Sequence, residues 1–447
     1  MSTPIRVRVR MYQVGFGDCF LISVEYDEPL ADGRAERHIL IDYGTSHSPR
    51  KEFARGRMAD VATLIEEHTK GVLDVLAVTH RHRDHLRGFE VDAGAAVLRR
   101  LAPKVVLRSW TEDPRLAPDA AKPADAALAA APEPLDGHVG PASLRYARLL
   151  AQAQDHAGAL AAPGARDKPL AAAAAEQLKN AEAVALLDEL SGEHRGRYLY
   201  AGADAGLAEV VPGLVTTVLG PPTPDQEPGV RRQAADSDEY WLTALDASLS
   251  LSTTVAAAGT DGDTDVDAMP VGPGPVRWLI ENLRSQRTHS LLRLVRNLDD
   301  ALNNTSLLLL FEVEGLSLLF PGDAQIENWQ HTLDRFAKEP ELRDKLAGID
   351  LYKVGHHGSR NATPRTLWGL WQDRPADRRL TALMSTRSGV HGKAVDTAVP
   401  QDNLVSALRQ VADVHSTDDI ANVDAAYIEV VAEVAAGGPF RPVPPTP

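Results

Sequence analysis

With 447 residues and 44% hydrophobic content, the chain can bury one large core or two modest ones and is no miniature scaffold. Its 47 Lys and Arg against 62 Asp and Glu leave a net charge of −15, which opposes broad, sequence-independent nucleic-acid binding because that rests on cations neutralising phosphates; a local basic cleft is still allowed. The single cysteine, Cys19, excludes an internal disulfide framework and fits a reducing compartment.

The N-terminus alternates Arg6, Arg8 and Arg10 with Val7 and Val9, the pattern of a half-exposed strand and not of a secretion signal. Val14-Gly15-Phe16-Gly17-Asp18-Cys19-Phe20-Leu21-Ile22 reads as a further apolar strand, in which Cys19 is a small core residue. His38-Ile39-Leu40-Ile41-Asp42-Tyr43-Gly44 is a strand ending in an aspartate and a glycine, and a helix is predicted over 58–70. The apolar run Val75-Leu76-Ala77-Val78-Thr79 then leads into His80-Arg81-His82-Arg83-Asp84-His85, where four side chains able to bind metal lie within six positions. A tight turn ended by Gly88 can aim His80 and His82 at one ion while Asp84 and His85 turn toward a second. Two metals bridged by one hydroxide are the expected outcome. Residues 1–110 form the first half of a core on this reading.

Residues 111–205 turn Ala- and Pro-rich, with Pro114, Pro118, Pro123, Pro132, Pro134 and Pro141 breaking regular structure before helices predicted over 142–160 and 170–190. The chain returns to the core over 206–222 with a strand closed by Gly220-Pro221. A second insertion, 223–300, holds an acidic, glycine-rich stretch over 259–274 and a helix predicted over 276–298. The stretch is read as a linker and not a calcium loop, since Val266 replaces the loop's glycine and Gly272 its bidentate glutamate. The second half of the core is expected over 301–436, and the Pro-rich tail, 437–447, is expected to be disordered or extended. No run approaches the roughly 20 apolar residues of a membrane span, so a soluble, cytoplasmic protein with no membrane partner is expected.

The His-x-His-x-Asp-His pattern of residues 80–85 resembles the signature of the metallo-β-lactamase-fold hydrolases. Other segments are similar, in order, to the subgroup found as the soluble hydrolase domain of bacterial DNA-uptake channel proteins. These are the segment from Val14, the strand ending at Asp42, Phe320-Pro321-Gly322-Asp323, Tyr352-Lys353-Val354-Gly355-His356-His357-Gly358-Ser359, and Ala382-Leu383-Met384-Ser385 followed by His391. The resemblance implies an α/β chain folded as a four-layered αβ/βα metallo-β-lactamase sandwich with two large insertions. It implies two divalent metal ions, Zn²⁺ with Mn²⁺ as the alternative. His80, His82 and Asp323 would hold the first; Asp84, His85, Asp323 and either His356 or His357 would hold the second. Of the adjacent pair we take His356 as the ligand and leave His357 for proton transfer, with Asp84 and His391 also in the catalytic set. Asp18, Asp42 and Ser359 are expected to orient the ligand loops. One departure matters: Asn303-Asn304-Thr305 stands where most members place a further histidine, so water or Asn303 is expected to complete the first site, through a weaker ligand than imidazole.

Metal lowers the pKa of a bound water toward neutrality, and two metals suit an in-line attack on phosphorus. Arg81, Arg83 and Arg360 would complement an anion by bidentate hydrogen bonds. The expected function is a metal-dependent phosphodiesterase or nuclease acting on nucleotides or nucleic acid. The alternatives are a carbon-ester, thioester or β-lactam-type hydrolase, or a defence-type effector hydrolase regulated by a protein partner that docks on the insertions.

Overall fold

The computed structural model describes residues 2–53, 57–115, 180–228, 303–391, 398–422 and 424–444, together with Pro123 and Glu239. The helices predicted over 142–160 and 276–298, the linker over 259–274, most of the Pro-rich stretch and the first part of the helix over 170–190 lie outside these residues. So does most of the proposed docking surface for a regulatory partner.

The N-terminal alternation forms β1 (Pro4–Tyr12), which sends Val7, Val9 and Met11 inward and keeps Arg6, Arg8 and Arg10 on the opposite face. It pairs antiparallel with β2 (Phe20–Tyr26) on one side, Val9 opposite Ile22, and with β13 (Tyr427–Glu433) on the other, Val9 opposite Val430. The sheet continues through β3 (Glu36–Ile41), β4 (Val75–Ala77), β5 (Val105–Ser109) and β6 (Gly196–Leu199), and β14 (Arg441–Val443) closes its far edge. Its order is β14-β13-β1-β2-β3-β4-β5-β6. The second sheet is built from β7 (Leu214–Gly220), β8 (Leu308–Val313), β9 (Leu316–Phe320), β10 (Leu351–Lys353), β11 (Leu380–Met384) and β12 (Ala412–Ser416). Its order is β12-β11-β10-β9-β8-β7.

The period-two rule of strands sorts the core into three clusters. Leu309 and Phe311 of β8 face Val9, Ile22, Ile41 and Ala77 of the first sheet, so the two sheets share one interior. Leu308 and Leu310, on the other face of β8, pack with Leu319 and Tyr352 beneath α5 (Ile326–Arg335), α6 (Pro340–Ala347), α7 (Arg365–Gly369) and α8 (Asp402–Val411). The outward residues Leu21, Leu40, Leu76 and Val106 of the first sheet pack against α1 (Met58–His68), α2 (Arg83–Glu90), α3 (Asp92–Leu101) and α4 (Ala181–Ser191). The described residues are therefore a mixed α/β sandwich of two sheets and eight α-helices. Among them, no helix is long and apolar enough to cross a membrane.

Several details differ from the sequence reading. Residues 14–19 form a loop between β1 and β2 and not a strand, because Gly15 takes a left-handed φ of 86° and a side chain on it would meet the His47 carbonyl. Cys19 is nonetheless buried, as expected. Gly88 does not end a turn after the histidine motif: it lies inside α2, where a Cβ would come within 2.3 Å of the Tyr43 ring. The segment 111–205 supplies α4 and the edge strand β6, which pairs parallel with β5. The tail is extended where β14 adds to β13, Val430 opposite Pro442.

Candidate metal centre

Parallel pairing of β3 with β4, and of β9 with β10, brings the carboxyl ends of strands from both sheets to one edge. Asp42 follows β3, His80 follows β4, Asp323 follows β9 and His357 follows β10. The first turn of α2 adds Asp84 and His85. Distant sequence positions converge because each loop leaves its strand at the same end.

Asp84, His85, Asp323 and His357 each offer a ligand atom, all within 4.8 Å of one another. His85 Nε2 lies 3.1 Å from Asp323 Oδ2, and His357 Nε2 lies 3.2 Å from Asp84 Oδ2 and 3.5 Å from Asp323 Oδ2. The rear nitrogens of both rings are held. His85 Nδ1 is 2.7 Å from Asp42 Oδ2, and His357 Nδ1 is 2.9 Å from the Ser385 carbonyl and 3.5 Å from Asp18 Oδ1. Asp42 is fixed in turn by the Thr79 backbone N–H and hydroxyl, each donating at 2.7 Å. Such outer partners set the tautomer and aim of a ligating imidazole. Asp42, His356 and His357 all adopt left-handed backbone conformations, with φ of 54°, 42° and 53°. That conformation is costly for non-glycine residues, and here it clusters at the candidate site.

The charges of this cluster balance only with help. Burial resists charge on His85 and His357, yet the carboxylates of Asp323 and Asp42 hold the first well above the ordinary imidazole range, and Asp323, Asp18 and Asp84 raise the second. Burial pushes the carboxyl of Asp323 up, but His85, His357 and Lys353 outweigh it and hold Asp323 well below its ordinary value. His80 moves the other way: burial, reinforced by His85 and His82, keeps it far below the ordinary range. Asp18, Asp42 and Asp323 are almost fully buried near the ammonium of Lys353, with Asp84 beside them. Buried negative charge in such excess must be offset by protons on the rings or by a cation. Carboxylate oxygens with imidazole nitrogens form a donor set able to hold a metal ion. The residues therefore fit a divalent metal ion.

The structure brings Asp84, His85 and Asp323 together with Asp18 and Asp42 behind them. Of the adjacent histidines it is the fully buried His357, and not the expected His356, that joins the donor group among the described residues; His356 is half-buried with its ring centroid 6.3 Å from that of His357. Both residues are left-handed, and their rings diverge from one another. His80 and His82 sit side by side, Nε2 to Nδ1 3.0 Å, but among the described residues belong neither to this donor group nor to the second possible one, Asp18, Asp42 and His85. Asn303 is buried in the turn before β8, and its amide oxygen has no hydrogen-bond donor. Ser359 donates to Asn361 instead of touching the donors. His391 is exposed and packs on Phe16, ring centroids 4.5 Å apart, and Phe16 in turn packs on His357 at 4.3 Å. Arg81 pairs with Glu112 at 3.4 Å, whereas Arg83 opens α2 and Arg360 follows the histidine pair, both half-buried. Sequence reasoning missed Lys353 and Phe16. A lysine inside a strand otherwise made of Leu351 and Tyr352 was the available signal for the first.

No family model matches the chain, and no curated protein does.

Proposed function

We propose that this chain is a metal-dependent hydrolase with the layering of the metallo-β-lactamase fold, acting most readily on phosphodiesters of nucleotides or nucleic acid. The observation that carries the reading is the convergence of Asp84, His85, Asp323 and His357 from loops of both sheets. Helices on the outer face of each sheet support the αβ/βα layering. Asp84, His85, Asp323 and His357 would hold one divalent ion, and His80 and His82 are the candidates for a second. Bound there, such ions supply Lewis acidity and a nucleophile drawn from water at neutral pH. The protein's own part is positional. Asp42 and Thr79 fix His85, Ser385 fixes His357, and Phe16 packs on the His357 ring. Asp84 is the most open member of the donor group, with its side chain 17% exposed.

Arg81, Arg83 and Arg360 are the candidate contacts for a phosphate. The engagement of Arg81 by Glu112 favours a second reading, a carbon-ester or thioester hydrolase, because it ties up one of the guanidiniums expected to meet an anion. Reconstituted with Zn²⁺ or Mn²⁺, the chain should cleave bis-p-nitrophenyl phosphate faster than a neutral p-nitrophenyl ester or a thioester. The opposite order would select the second reading, and no turnover of any of them would remove the hydrolase assignment.

A further inference from the structure

Lys353 is the charged residue of β10, with only 2% of its side chain exposed. Its ammonium pairs with Asp18 Oδ2, donates to the Gly322 carbonyl at 2.9 Å and lies 3.3 Å from Asp323 Oδ1. Three acceptors thus meet an ammonium that has three protons to give. The consequence lies in Asp323, whose two oxygens face different groups. Oδ1 is taken by Lys353, while Oδ2 is the oxygen near His85 Nε2 and His357 Nε2, at 3.1 and 3.5 Å. A carboxylate is otherwise loosely held about its last torsion, which has a broad, roughly two-fold profile.

We propose that Lys353 is a positioning residue: by holding Asp323 through Oδ1 it offers Oδ2 alone to a divalent cation shared with Asp84, His85 and His357. The inference rests on the metal-site reading above. A merely structural lysine, there to neutralise Asp18, would leave cation binding unchanged once Asp18 is neutralised by other means. A purely electrostatic lysine would repel a cation, so its loss would tighten binding. Positioning gives the opposite sign.

The test uses the full chain, stripped of metal and titrated with Co²⁺, read by its visible absorption bands and by competition with a chelator. Asp18→Asn is compared with the pair Asp18→Asn and Lys353→Met, which removes one negative and one positive charge and so keeps the net charge of the wild type. Relative to Asp18→Asn alone, the pair should bind Co²⁺ about ten-fold more weakly or worse, the loss typical of removing an outer-shell partner, with shifted bands as Asp323 turns to present both oxygens. Affinity and bands equal to those of Asp18→Asn, or tighter binding, would overturn the proposal. Should the Met pair fail to give a native circular-dichroism spectrum, the pair Asp18→Asn and Lys353→Gln, which keeps a donor toward Gly322, is read by the same criteria. Wild-type protein that takes up no Co²⁺ would overturn the metal reading and this proposal together, whereas wild-type uptake with an indifferent double variant removes Lys353 alone.

Discussion

Asp42 acts on the donor group without joining Asp84, Asp323 and His357. It accepts from Thr79 through both oxygens and holds the rear nitrogen of His85, so Asp42→Asn should leave the fold intact while lowering Zn²⁺ affinity about 10- to 100-fold. Chelator competition measures this, and wild-type affinity in the variant would show that His85 is aimed by something else. His38, on β3 and away from the donors, gives a residue-scale handle on pH. Burial pushes its imidazole down to about 4 against the pull of Glu36 and Asp74. The unfolded chain therefore takes up this proton first, near its ordinary value of 6.5, and stability falls as pH drops from there to about 4, then levels off. At about 1.4 kcal/mol per pH unit, the loss across the window is about 3 kcal/mol. Denaturation midpoints of wild type and His38→Gln should diverge between these pH values, and parallel curves would contradict the assignment. At this scale the sequence was legible for Asp84, His85 and Asp323, which the fold brings into one group of possible ligands. It was not legible for His356 against His357, because neighbours of identical type are told apart only by their burial in the fold.

Helix α2 carries half of the donor group, and its seat depends on Gly88. The helix passes so close to Tyr43 that a Cβ at Gly88 would lie 2.3 Å from Cδ1 and Cε1 of the ring, and the ring is anchored by its hydroxyl donating to the Met58 carbonyl. Gly88→Ala gains up to about 1 kcal/mol of helix propensity, but overpacking typically costs about 1–3 kcal/mol and displaces backbone. The clash should win. The variant should be less stable by about 1–2 kcal/mol in urea unfolding and should bind metal more weakly, while a stabilised variant would mean that Tyr43 yields freely. Element types were largely readable: the Arg/Val alternation of β1, the apolar run of β4 and the Gly-Pro end of β7 all lie where the sequence places them. The loop over 14–19 was misread as strand because apolar residues line it, and their burial there comes from tertiary contact between Phe16, His357 and His391, which no local pattern encodes. The edge strand β6 was hidden for the converse reason: Gly196-Arg197-Tyr198-Leu199 is short and only Leu199 is buried, and pairing with β5 makes it a strand.

On the scale of the whole molecule, the sandwich is stabilised by three apolar clusters that do not include the donor side chains. Metal should therefore tune this fold instead of creating it, unlike small metal-dependent domains that unfold without their ion. Chelation should leave the circular-dichroism spectrum unchanged and lower the melting temperature only by the amount that ligand linkage supplies; collapse of the spectrum on chelation would contradict this. The mixed α/β character was legible because apolar strand runs alternate with helical stretches along the chain. The ends of the core were not, because β13 and β14 return from the C-terminus to complete the first sheet beside β1. The central claim, that Asp84, His85, Asp323 and His357 form a metal centre, is tested most directly by elemental analysis of protein purified without chelator, wild type beside Asp84→Ala. The wild type should carry at least one divalent transition-metal ion per chain, and the variant should lose that ion while keeping the wild-type circular-dichroism spectrum. A wild type free of metal, or a variant with undiminished metal content, would contradict the claim.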